Sequence, residues 1–148
     1  MDPKHRDDLL AAVQAVEAEH QNVLHSAYRA VADGRFEEFA NFVTEDVELS
    51  ISGWPPMDGI WRGRQEVVAA TRKNFGMVDV QQPQIERVLA QGEMIVVLLK
   101  ERGTLRADGQ AYYLRAVQWF TFRDGKISRI DEICAPCADN ALDVIHPT

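Results

Sequence analysis

The apolar positions of this chain fall into two rhythms. Between Asp7 and Gly34 they recur three or four apart, at Leu9, Val13, Val16, Val23, Ala27 and Val31, with His20 in the gap between Val16 and Val23. That spacing is one stripe of a helix. Asp7 or Asp8 is the expected cap, and Asp33-Gly34 the expected end, Gly34 being the left-handed stop. At about 1.5 Å per residue the helix runs about 40 Å, so its N-terminal portion should overhang the domain body. A second, short helix covers Phe36 to Phe42. From Asp46 the rhythm becomes strict alternation, Val47, Leu49 and Ile51 against Glu48, Ser50 and Ser52. This predicts a strand with one buried face. Gly53 to Gly59 reads as a loop, Ile60-Trp61 as a small strand, and Gln65 to Phe75 as a third helix opened by Gly63.

Four strands follow, at Gln84–Ala90, Met94–Arg106, Ala111–Phe122 and Ile127–Cys134. The last two are joined by Asp124-Gly125, the strongest short-range hairpin signal. Helices first, then a run of antiparallel strands, is an α+β arrangement. No repeat or linker divides the chain, so residues 1–148 read as one domain, with a core over about 8–135 and a tail over 136–148, of which Ala138 to Ile145 offers at most one helical turn. If Ala107-Asp108-Gly109 closes as a two-residue turn, Tyr112, Leu114, Ala116, Gln118 and Phe120 share a face with Leu105, Gly103, Glu101, Leu99 and Val97. A three-residue turn instead sets Glu101 opposite Arg115.

Charge and composition narrow the partners. A net charge of −7 argues against nucleic acid and anionic membrane surfaces. The longest apolar run, Met94 to Leu99, is too short to span a bilayer, and the first residues lack a signal peptide's apolar stretch, which makes the cytoplasm the default location. Cys134 and Cys137 stand as Cys-Ala-Pro-Cys. That spacing suits a redox pair or half a metal site, yet it follows the last strand and His5, His20, His25 and His146 show no paired spacing. The expectation is therefore one small buried cysteine and one in the tail, within reach of a disulfide under oxidising conditions, with no metal and no cofactor.

The order of these pieces resembles the nuclear transport factor 2-like superfamily, and within it the SnoaL-like polyketide cyclases and steroid delta-isomerases. The carrying segments are Ala30-Val-Ala-Asp-Gly-Arg-Phe36, Phe42-Val-Thr-Glu-Asp-Val47, Trp61-Arg-Gly63 and Phe120-Thr-Phe-Arg-Asp-Gly-Lys-Ile127, within Val23 to Cys134. The resemblance implies a cone-shaped, strongly bent, mostly antiparallel sheet wrapped around N-terminal helices, a cavity inside it, and often a homodimer. It does not imply one activity. The steroid isomerases' catalytic Asp falls on Ser50 or Ile51, their oxyanion-binding Asp near Gln118, and their catalytic Tyr near Tyr28. The Asp-Arg-Asp set of limonene epoxide hydrolase finds Arg102 and Glu132, with Thr104 where the remaining Asp belongs.

Neighbours on a strand point to opposite faces, so Asp131 and Glu132, Glu101 and Arg102, and Gln118 and Trp119 each split between cavity and exterior. The resemblance favours Gln118, Glu132 and Cys134 inward. A Glu132 beside aromatic groups is partly desolvated, which suits it to acid–base work, and Gln118 is placed to polarise a substrate oxygen. Ala116 is the expected cross-strand partner of Glu132. Glu132 and Gln118 form the candidate catalytic pair, and His20, Tyr28, Trp54, Trp61, Glu101 and Phe120 the candidate pocket wall. The leading expectation is a SnoaL-like pocket protein acting as a cofactor-free isomerase, cyclase or lyase on a small apolar molecule. The alternative is a non-catalytic ligand-binding or dimeric assembly domain, with a dioxygenase small subunit as a third. With Gln118 inward, Val117 and Trp119 point outward near Leu98 and Val96, and that apolar exterior predicts a homodimer.

Overall fold

The computed structural model describes residues 2–138, so the predicted turn at Ala138 to Ile145 lies almost wholly outside the described residues. Helix α1 spans Pro3–Ala32. It starts earlier than expected, with Asp2 rather than Asp7 or Asp8 as its N-cap and Pro3 in the first turn, where the missing N–H costs nothing. Its apolar stripe divides in two. Leu24, Ala27 and Ala30 are buried, whereas Leu9, Val13 and Val16 are exposed, because that half of the helix projects past the sheet. Gly34 ends the helix at φ +73°, and its N–H donates to the Val31 carbonyl over 3.0 Å.

Helix α2, Phe36–Phe39, continues as a 3-10 turn over Ala40–Phe42. Then come β1, Val43–Ser52, β2, Gly59–Arg62, and α3, Arg64–Gly76. Four long strands complete the chain: β3, Val78–Gln91, β4, Met94–Leu105, β5, Ala111–Arg123, and β6, Lys126–Pro136. They form one curved, unclosed six-stranded sheet in the order β2-β1-β6-β5-β4-β3. The pairing is antiparallel except between β1 and β6, which run parallel. The α+β expectation holds. Strand β3 is much longer than the Gln84–Ala90 stretch legible from alternation, because polar residues and Pro83 break the pattern, and an edge strand tolerates proline.

The core lies between the helices and the inner face of the sheet. Phe122, Ile95, Ile127, Val43, Val47, Val67 and Val97 are its largest fully buried side chains. Two irregularities decide what faces it. Asp124 and Gly125 both have positive φ, 52° and 77°, as a tight hairpin turn requires. A bulge follows: Phe122 pairs with Ile127 but Thr121 with Arg129, so Ser128 is an extra residue on β6. The second irregularity is on β3, where the register shifts between Asp79 and Gln82 and Val80 sits at φ 47°.

The β4–β5 face agrees with the two-residue-turn alternative, but its register does not. Gly103 pairs with Tyr112, Glu101 with Leu114 and Leu99 with Ala116, two residues from the expected pairing. The connection over Arg106–Gln110 is longer than either expected turn; Gly109 N–H closes it on the Leu105 carbonyl at 2.7 Å. Arg115 lies opposite Lys100, not Glu101.

Candidate functional site

A cavity of about 210 Å³ opens between α1, α3 and the inner face of the sheet. Its wall is mostly apolar: Leu24, Ala27 and Val31 from α1, Phe75 from α3, Leu49 and Ile51 from β1, Leu99 from β4, Leu114 and Phe120 from β5. Trp54, buried in the loop after β1, closes one side, with its ring 5.1 Å from that of Tyr112. Phe120 meets the Tyr28 ring edge-on at 5.8 Å. Against this wall stand a few polar groups: Tyr28, Thr71, Asn74, Gln81, Glu101, Gln118, Glu132 and Cys134. Among the described residues lining the cavity there is no lysine, arginine or histidine.

The polar groups form two sets. In the first, the Tyr28 hydroxyl donates to Gln118 Oε1, and Gln118 Nε2 donates to Glu132 Oε2 at 3.4 Å. The Cys134 thiol approaches Glu132 Oε1 at 3.5 Å. Glu132 thus receives one long amide bond and one weak thiol bond. Burial pushes its carboxyl above the usual range, the nearby Glu101 adds to this, and the thiol and amide contacts oppose it. Burial and the Glu132 charge in turn push the Tyr28 hydroxyl and the Cys134 thiol up.

In the second set, Glu101 accepts from Tyr112 Oη at 2.7 Å and from Gln81 Nε2 at 2.8 Å. Burial raises its carboxyl too, against these two bonds. Tyr112 reaches Glu101 because Gly103, its cross-strand partner, leaves the space its ring occupies: a Cβ there would meet the hydroxyl at 2.5 Å. Gln81 reaches it because the β3 irregularity re-aims the strand, a common use of bulges beside functional sites.

Tyr28, Trp54, Glu101, Gln118, Phe120 and Glu132 therefore all lie on the cavity wall, while two other expected wall residues do not. His20 is buried at the far end of the sheet, stacked on Phe122 at 4.4 Å, with Nδ1 3.1 Å from the Gly92 carbonyl oxygen. Its place in the helical stripe reflects core packing. Trp61 sits on β2, the edge strand, opposite Leu49, and covers Gly59 rather than the cavity. Glu132 pairs with Gln118, not with Ala116, which pairs with Cys134; the Ser128 bulge supplies one residue of this two-residue difference and the tight turn closing at Arg123 and Lys126 the other. Arg102 neighbours the inward Glu101 and is absent from the cavity wall, as is Thr104, whose hydroxyl donates to the Asp79 carbonyl at 3.1 Å. Arg102 and Thr104 therefore do not complete an Asp-Arg-Asp set with Glu132 on the described cavity wall, and Ile51 puts an alkyl group where the resemblance places an isomerase Asp. Gln81, Thr71 and Asn74 escaped the sequence reading, since nothing in a polar stretch before Pro83 marks a bulge.

Replacing the thiol next to Glu132 tests this electrostatic picture. A serine hydroxyl is a better donor than a thiol, so Cys134→Ser should move the Glu132 titration to lower pH, read from its side-chain carboxyl carbon by NMR. An unmoved titration would remove Cys134 from the set.

The residues Leu24 to Ile130 match the family model described as SnoaL-like domain. The chain belongs to the SnoaL-like family. Its fold is that of the nuclear transport factor 2-like proteins. An NTF2-like protein from Burkholderia xenovorans is similar over 80% of this chain and 90% of its own, at 22% identity and a TM-score of 0.71. A putative ketosteroid isomerase from Kribbella flavida is similar at 20% identity and a TM-score of 0.62, over 89% of this chain and 91% of its own. An epoxide hydrolase of the LEH-like type from M. tuberculosis is similar at 15% identity and a TM-score of 0.65, over 80% of this chain and 84% of its own. Among curated proteins no sequence matches at a significant level. Among the described residues no helix is long and apolar enough to cross a membrane.

Proposed function

We propose that this SnoaL-like protein moves a proton on a small, largely apolar carbonyl compound, as an isomerase, cyclase or lyase does, without a bound cofactor. The observation that carries this is the Glu132 carboxyl, raised by burial, on the wall of an apolar cavity beside the Gln118 amide and the Tyr28 hydroxyl. Ionised Glu132 takes the proton from carbon next to the carbonyl. Gln118 keeps a second N–H for the oxygen that gains charge, and Tyr28, which donates to Gln118 Oε1, holds the amide in that orientation. The likeness to an epoxide hydrolase and to a putative ketosteroid isomerase supports a pocket enzyme of this general kind.

The experiment is hydrogen–deuterium exchange at the α-carbon of a panel of apolar ketones and enones in D2O, followed by NMR. Exchange above background that disappears in Glu132→Gln supports the proposal. Exchange that survives the substitution sinks it, and binding without exchange leaves the non-catalytic ligand-binding domain.

The same reading includes a homodimer, in the cytoplasm, formed by the outer face of the sheet. Trp119 and Ile133 are 42% and 55% exposed there, beside Val117 and Val96. Sedimentation equilibrium at micromolar concentration should give twice the chain mass, and Trp119→Glu should give the monomer. A wild-type monomer would remove the dimer.

A further inference from the structure

The cavity holds two carboxyl groups on different strands, and their surroundings differ. Glu101 on β4 is held by two donors at normal distances, Tyr112 Oη at 2.7 Å and Gln81 Nε2 at 2.8 Å. Glu132 on β6 has only the amide at 3.4 Å and the thiol at 3.5 Å. Well-made donors fix a carboxylate in place and favour its ionised form; weak ones leave a group free to exchange a proton. No basic side chain of the described wall stands by to neutralise either acid. Trp54 lies on the cavity wall with its ring packed 5.1 Å from that of Tyr112, whose hydroxyl reaches Glu101. A carboxylate backed by aromatic rings in an apolar chamber is the arrangement that recognises an organic cation, since the rings' negative faces and the carboxylate attract the same charge.

We infer that Glu101 is a docking point for a positively charged amine, so that the ligand of this cavity is a small apolar molecule carrying an ammonium group at one end. This rests on the reading of the cavity as a small-molecule site and names its ligand class. The two carboxyls then divide the work. Glu101, whose two donors oppose the upward push of burial and whose ionised form the amine's own charge favours, anchors the amine, and Glu132, at the Gln118–Tyr28 end, is left for proton transfer. The device at Val80 acquires a purpose: a β-branched residue at φ 47° is costly, and the irregularity it belongs to delivers Gln81 to Glu101.

The test compares benzyltrimethylammonium with neopentylbenzene, its uncharged carbon isostere, at pH 8, by ligand-observed NMR and Trp fluorescence. The cation should bind at least tenfold more tightly. Glu101→Gln, which keeps the side chain's shape, should abolish that preference while still binding neopentylbenzene, which shows that the cavity has survived the substitution. Glu132→Gln should keep the preference. Equal binding of the two probes to the wild type overturns the amine proposal and leaves the small-molecule cavity standing. A preference that survives Glu101→Gln, or is lost only in Glu132→Gln, also overturns it. Binding of neither probe overturns it together with the pocket reading.

Discussion

Gly53→Ala should cost the fold about 3 kcal/mol or more, enough to leave a substantial unfolded fraction in a domain of ordinary stability. A Cβ built at Gly53 would lie 1.9 Å from the Cys134 carbonyl oxygen. Backbone meets backbone there, so no flexible side chain can yield. The residue also sits at φ +80°, a region that costs an L-residue about 1–2 kcal/mol by itself. Gly109→Ala is the control: its φ is similar, +72°, but nothing lies within 4 Å of the added carbon. Urea unfolding of both variants separates backbone conformation from contact. A Gly53→Ala loss no larger than that of Gly109→Ala would show that the crossing of β6 by this loop is looser than described. Because Cys134 and Glu132 lie on the crossed strand, the loss should extend to the cavity.

Glu132→Gln should lower turnover by roughly 10²–10⁴-fold while leaving binding nearly intact, because the amide keeps the size and hydrogen bonding of the acid and removes proton transfer. The pH dependence follows from the raised carboxyl. The base must be ionised, so the rate should rise with pH through the elevated Glu132 value, later than for an exposed glutamate. Stability runs the opposite way. With its folded value above the unfolded one, Glu132 binds more protons in the native state across that window. Its contribution is therefore present below the unfolded value and lost as pH rises through the folded one. Glu132→Gln removes this loss, so its Tm should exceed that of the wild type at pH 8 and match it at pH 4, by about 2–4 °C for each kcal/mol recovered. A variant that is less active and also less stable at pH 8 would argue that Glu132 is a structural acid.

Most of the architecture was legible because it rests on local signals. Asp124-Gly125 fixes a hairpin, Gly34 stops a helix, and alternation along β5 and β6 decides which residues can share a face. Parity survived errors of register: Glu101, Gln118 and Glu132 face the cavity although their cross-strand partners were misplaced by two residues. Register depends on loop length and bulges, which carry no hydrophobic signature. For the same reason Gln81 was invisible, and so was the link from Tyr28 to Gln118, a contact between α1 and β5 that only the packing of the helix on the sheet creates. His20 shows the reverse failure. A polar residue in an apolar stripe suggests chemistry, whereas its partner is the Gly92 carbonyl oxygen.

The extra residue at Ser128 makes β6 tolerant of a change of one codon. Upstream, Ile127 is buried on the inner face; downstream, Ile130, Glu132 and Cys134 return to that face only because one position is skipped. Deleting Ser128 would leave the hairpin turn intact and remove the bulge, so that Arg129 follows Ile127 on the outer face and Ile130, Glu132 and Cys134 stay on the inner one. Straightening β6 with Ser128 kept would instead turn Asp131 and Ile133 inward and bring Glu132 and Cys134 to the outer face. In a lineage of such proteins, an in-frame gain or loss of one residue at this point is therefore absorbed by the bulge, and the cavity wall and the rest of the sheet stay as they are.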